Sequence, residues 1–448
     1  MGERKRVRCG SIATCLALLG FCCGCGPRAP IRTPARVLLP FHSGKAITGA
    51  VAAANAELPE GQQFALTGAH PTAGVVIERY TRGDGLELVL FPDPGATGQV
   101  LELWWPVGWC HLPLDRQLVV PKDLSKVQAM DQMGARVEVE VGCERSVRRW
   151  WLPLGPRVLA KALALETEWS GRTGALVVPP AEHLQWSMVQ TADRALLERT
   201  GAKGANQTWP SRPTLVFLTG PIDRQVSLQS VGAFTRGAAE PAPWSLPVGN
   251  VDRRLQVDSP APTLLRLAWR IEDRDPLDRW ALEAVALVLT NGPDSRLGRR
   301  LGGTAGGGLG AAITSRAGPR AGALELEILV SLENAGTSTQ ARNTIESELR
   351  AIGSGQTTGL ELERARDALR YRHLSALASI TDRGARIAEL VLGAGQLDHL
   401  ELGLNYVEEL PETALRQVVA QGIGQGRPTV VLARPAPPPS PEAKEPRP

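Results

Sequence analysis

The sequence predicts an α+β protein of two tandem homologous α/β halves, each a mostly antiparallel sheet with helices packed on one face. Three observations carry this. Strand-like runs divided by tight turns precede amphipathic runs in residues 73–223, and the same order returns in 259–435. Two stretches, "RPTLVFLTGP" at 212–221 and "RPTVVLARP" at 427–435, are alike, and each ends its half. Of 448 residues 43% are apolar and 21% charged, a balance that lets a chain bury two cores.

The first element is an address. Arg4, Lys5, Arg6 and Arg8 precede a run at 11–23 that is almost wholly apolar or small, the pattern of a secretory signal over 1–24. A membrane span fails on length, because about a dozen residues lie where ~20 are needed. Gly24-Cys25 resembles the bacterial lipoprotein signal, with Cys25 as the lipid-bearing residue; Cys22 and Cys23 are alternative acceptors, and a plain secretory signal reaches the same compartment. The expected location is the periplasmic side of the bacterial envelope. Gly26, in place of an Asp-type retention signal, directs the anchor to the outer membrane.

Metal ligation by the N-terminal cysteine cluster is excluded by its loss with the signal. Cys110 and Cys143 then remain as a candidate disulfide in an oxidising compartment, with two separately buried thiols as the alternative. Cleavage also lowers the net charge from +4 to +1, which removes the electrostatic case for nucleic-acid binding.

Residues 25–72 read as a Pro-, Ala- and Gly-rich tether or arm with one helical run at 45–57. "GVVIERY" (74–80), the turn "RGDG" and "LELVLF" (86–91) predict a hairpin, and "VLELWWPV" (100–107) a further strand. "ARVEVEVG" (135–142) and "RSVRRWWLP" (145–153) predict two more, and helices follow at 155–169 and 180–201. Residues 224–258 read as an inter-half linker. The second half offers a strand at 263–271, a helix at 276–291, strands at 309–317 and 323–332, helices at 337–351, 358–377, 380–393 and 411–423, and the closing strand. Residues 436–448 form a Pro-rich tail.

In this order "DGLELVLFPDPGATGQVLELWWPVG" (84–108), "GARVEVEVGCERSVRRWWLPLGPRVLAKALAL" (134–165), "LTNGPDSRLGRRL" (289–301) and "TTGLELERARDALRYRHLSALAS" (357–379) resemble the insulinase/pitrilysin family of zinc metallopeptidases. The resemblance spans 74–435. It implies a zinc site built from His-x-x-Glu-His on a helix soon after the first strands, with a more distant glutamate as third ligand. The stretch that should carry the motif, 108–134, holds only His111, beside a helix-breaking Pro113. The other histidines never occur at i, i+4, so catalytic and metal residues are expected to be none, and no cofactor is expected although the family uses zinc.

The resemblance further implies a substrate-contacting arginine followed two residues later by tyrosine. Arg296 stands in that place, but the second position is Gly298. Arg296 is therefore a candidate contact to peptide or partner, with a turn arginine bonding helix carbonyls as the alternative. "GGTAGGGLG" (302–310) lacks the lysine and the strand–glycine–helix order of a phosphate loop. Gly302, Gly303, Gly306, Gly307 and Gly308 are instead a candidate peptide-handling loop, like one carried by non-catalytic members of the family. No Gly-x-Ser-x-Gly elbow occurs, and Cys110 beside His111 makes no triad. In the strand pairs Trp104-Trp105 and Trp150-Trp151, one ring of each is expected in the core.

These readings point to a non-catalytic member of the family, a partner or regulatory subunit that pairs with an active relative or with itself, binds peptide, and meets the membrane through its lipid. An active zinc peptidase with an unconventional site and a stand-alone peptide-binding lipoprotein are the alternatives.

Overall fold

The computed structural model describes residues 43–72, 75–106, 124–141, 145–170, 213–234, 252–257, 263–272, 275–302, 309, 311–320, 323–394, 397, 399–424 and 426–435. From Gly44 onward they form one compact unit holding two sheets.

The first sheet takes β1 (Phe64–Thr72), β2 (Val75–Arg82), β3 (Glu87–Pro92), β4 (Gly98–Trp105), β5 (Arg136–Val141), β6 (Ser146–Pro153) and β7 (Leu215–Gly220), in the order β1-β2-β3-β7-β4-β6-β5. The second takes β8 (Asp252–Val257), β9 (Thr263–Ile271), β10 (Ala312–Arg320), β11 (Ala323–Leu332) and β12 (Thr429–Pro435), in the order β10-β11-β9-β12-β8. Laid side by side, β3-β7-β4-β6-β5 and β8-β12-β9-β11-β10 have the same order. They also share orientations: β3 with β7 and β8 with β12 are parallel, and the other pairs are antiparallel. The similar stretches at 215–220 and 429–435 are equivalent interior strands, each between a parallel and an antiparallel neighbour, so the expected duplication is present at the level of topology.

Alternation along the strands sorts the faces. Leu86, Leu88, Leu90, Leu101, Leu103, Trp105, Trp150 and Leu218 pack with α1 (Ser43–Asn55), α3 (Pro156–Ser170) and α4 (Arg224–Gly232). Leu265, Leu267, Trp269, Leu326 and Ile328 pack with α5 (Pro276–Thr290), α6 (Ser338–Gly353), α7 (Gly359–Ala378), α9 (His399–Glu409) and α10 (Glu412–Gln417). A third core joins the halves. The opposite face of the first sheet, through Val89, Phe91, Trp104, Leu215 and Phe217, receives Leu377, Leu397, Leu400 and the apolar side of α8 (Arg383–Glu389).

Three segments differ from the sequence reading. Residues 43–72, read as part of an arm, contain α1, with Ile47 and Ala54 buried, and the edge strand β1. Gly68 and Pro71 hide that strand from a propensity reading, and the bulge between Leu66 and Gly68 is what lets it pair. Residues 224–258, read as a linker, contain α4 and the charged edge strand β8. Helix α4 is tied to the sheet from outside itself. Asp223 caps its first turn, and the buried Arg82 guanidinium of β2 donates to the carbonyls of Val231, Gly232 and Phe234. Helix α9 was not anticipated; Gly403, in its middle, is where Trp280 of α5 presses against it.

Candidate functional site

By the repeat, α2 (Leu124–Asp131), between β4 and β5, corresponds to α5, between β9 and β10. This is the position the resemblance assigns to the zinc helix. The eight residues of α2 read LSKVQAMD and include neither histidine nor glutamate, while Met130 is buried in the first-half core. Among the described residues no group of three or more His, Cys, Asp or Glu could hold a metal ion. The described side chains therefore offer no three-ligand set for zinc. Cys25, Cys110, His111, Cys143, Gly303, Gly306, Gly307 and Gly308 lie outside the described residues.

Arg296 is described, and it is buried. Its Nε and one terminal nitrogen donate to the two oxygens of Glu361 at 2.9 and 2.8 Å, the same nitrogen reaches the Gln356 carbonyl at 2.5 Å, and the other approaches Glu348 at 3.5 Å. Glu361 is also the third-position glutamate of a capping box with Thr358 at the start of α7. The forked pair therefore fastens the turn before Gly298 to that helix, and the same guanidinium holds the Glu361 carboxyl down to about 2. At Gly298 a Cβ would lie 2.6 Å from the Gly292 carbonyl and 2.7 Å from that of Pro293. The backbone around this position leaves no room for the aromatic ring that the resemblance implies. Gly302 ends the following turn, and Leu309 and Ala311 both donate to the Leu301 carbonyl, closing the base of the glycine-rich loop.

The functional groups that sequence reading missed are buried carboxylates on strands and helices. Glu102 of β4 accepts from Arg149 and from the Trp104 indole at 2.9 Å, on the face that meets α8. Glu166 of α3 accepts from Arg148 and from the Trp150 indole at 2.7 Å. Burial pushes both carboxyls up, against the pull of their arginines. Glu78 accepts from the Tyr80 hydroxyl and Arg224, an arrangement that raises the phenol's pKa through burial first and the carboxylate second. Each acid has an arginine and a ring donor in contact; Glu166 and Glu78 thereby tie a helix to the sheet, and Glu102 ties β4 to β6 within it. The signal was present in "VLELWW" and "LALE", where one acid interrupts an apolar run.

His373 is likewise internal. Its Nε2 faces the Leu400 carbonyl at 3.0 Å, and its ring stands edge-on to Trp280 at 6.0 Å. Burial, together with Arg386 and Arg279 nearby, holds its pKa down to about 4. Of the tryptophan pairs, Trp105 and Trp150 are in the first-half core and Trp104 is in the core between the halves. Trp151 is partly exposed between the guanidinium groups of Arg136 and Arg149.

No family model and no curated protein matches the sequence. Solved structures do match. The inactive M16 peptidase domain from Pseudomonas fluorescens superposes at a TM-score of 0.61 with 15% identity, over 81% of this chain and 98% of that one. A protease from Helicobacter pylori gives 0.59 with 16% identity, over 80% and 99%. The periplasmic protease PqqL from Escherichia coli gives 0.56 with 12% identity, over 85% of this chain and 47% of that one. The fold is that of the M16, or insulinase/pitrilysin-type, peptidase domains. The chain carries this fold without the His-x-x-Glu-His motif.

Proposed function

We propose that this chain is a non-catalytic insulinase/pitrilysin-type homologue that serves as a partner or regulatory subunit of an active zinc peptidase in the bacterial cell envelope. One observation carries the reading: the described residues of the helix at the zinc-helix position, α2, include no imidazole or glutamate and the sequence holds no His-x-x-Glu-His, in a fold whose solved relatives include both proteases and an inactive domain. A zinc peptidase needs ligands that orient a bound water, and removing them leaves a peptide-binding surface without a nucleophile. The signal-like segment, with Cys25 as lipid acceptor, supports secretion and anchoring at the outer membrane, and one structural relative is a periplasmic protease.

Affinity isolation of the lipid-bearing chain from native envelopes tests the partnership. The proposal predicts a co-purifying relative that retains His-x-x-Glu-His, and chelator-sensitive peptide cleavage by the pair but not by the chain alone. Isolation of the chain without any such relative contradicts it.

A further inference from the structure

Helix α7 is packed on one side only. Leu362, Ala365 and Leu369 are buried in the second-half core, His373 is buried against Trp280, and Leu377 is buried in the core between the halves. At 100° per residue, Leu360, Arg364, Asp367, Tyr371, Leu374 and Ala378 fall within an arc of roughly 80° on the other side. All six are exposed. Tyr371 is 74% accessible, Leu360 58% and Leu374 44%, three of the six large apolar side chains that stand out from the surface of the described residues. A stripe with three such anchors and a charge pair at its centre is not an ordinary solvent face.

The order of the stripe is self-complementary. Set two copies of α7 antiparallel about a two-fold axis between positions 365 and 366. Leu360 then faces the partner's Tyr371, Arg364 faces the partner's Asp367, and both pairs recur by symmetry. Apolar contacts flank two opposite-charge pairs, and Leu374 falls opposite position 357, one residue before the N-cap Thr358 of the opposing helix. In a parallel arrangement the same helices would oppose Arg364 to its own copy and Asp367 to its own copy.

We infer that the exposed stripe of α7 is an isologous interface, and that its occupant is a second copy of this chain docked antiparallel. One helix stripe is a small contact, so the association is weak, with a dissociation constant of roughly 10–100 µM. The inference stands apart from the proposed function, since it uses neither the missing zinc motif nor the envelope location.

Sedimentation velocity of the full mature chain from about 1 to 100 µM reads it out. The expected result is a concentration-dependent monomer–dimer shift. Arg364→Asp, which sets two acids against each other, should weaken the dimer at least tenfold, and adding Asp367→Arg to that variant should restore it. Tyr371→Ala should weaken it as well. All these positions are exposed, so circular dichroism should be unchanged. Monomer at every concentration overturns the inference. So does a dimer indifferent to Arg364→Asp, or a different chain held at this face without self-association.

Discussion

Glu102 and Gly384 meet where the two halves press together. A Cβ on Gly384 would come within 2.0 Å of the Glu102 Oε2, and that carboxylate is already held by Arg149 and the Trp104 indole. Gly384→Ala must therefore displace a buried, bonded charge. The expected loss is about 2–4 kcal/mol, read as a lower denaturant midpoint. Arg383, next along the chain, bonds Asp93 at 2.8 Å and Thr219 at 3.0 Å across the same boundary and lies over the Phe91 ring at 4.4 Å. Residue chemistry also sets an acid response. His373 is held at about 4 in the fold against an ordinary 6.5, so the unfolded chain binds its proton more readily. Its contribution is fully present above pH 6.5 and is lost as the pH falls through about 4, by up to roughly 3 kcal/mol. Denaturant midpoints measured from pH 4 to 7 should slope downward toward acid in the native chain. They should do so less steeply in His373→Phe, and identical slopes would contradict this.

At the scale of elements, α4 shows how a helix forms where composition gives little sign of one. It has no amphipathic pattern, yet Asp223 starts it and Arg82 closes it from another strand. Arg82→Met removes the guanidinium from three carbonyls and from Asp84. The expected cost is about 2–4 kcal/mol, with faster amide exchange confined to α4 before the sheet is affected. The sequence made the periodic elements plain: β9, α5, β11, α6 and α7 fall within two residues of their predicted bounds, because each buries one regular face. It concealed β8 and α4, whose partners are distant in the chain, and β1, whose Gly68 and Pro71 mask its pairing with the adjacent β2. The absent zinc motif was legible as a count of imidazoles. Arg296 was legible as a position but not as a role, since Glu361 and Glu348 lie 65 and 52 residues away.

For the molecule as a whole, the third core makes the two halves one folding unit. Leu377, Ile387, Leu390 and Leu400 come from the second half, and Ile77, Phe91, Trp104 and Phe217 from the first. Separating them uncovers apolar side chains on both, so each half expressed alone should aggregate or bind a hydrophobic dye, and the two co-expressed should restore one cooperative transition. This coupling, with the duplicated sheet order, is the frame in which α2 stands at the zinc-helix position without ligands. The most direct test of that claim is the metal content of the purified mature chain after equilibration with zinc and dialysis. The account predicts far less than one zinc per chain and no chelator-sensitive peptide hydrolysis. Retention of about one zinc per chain, with hydrolysis that a chelator abolishes, would contradict it.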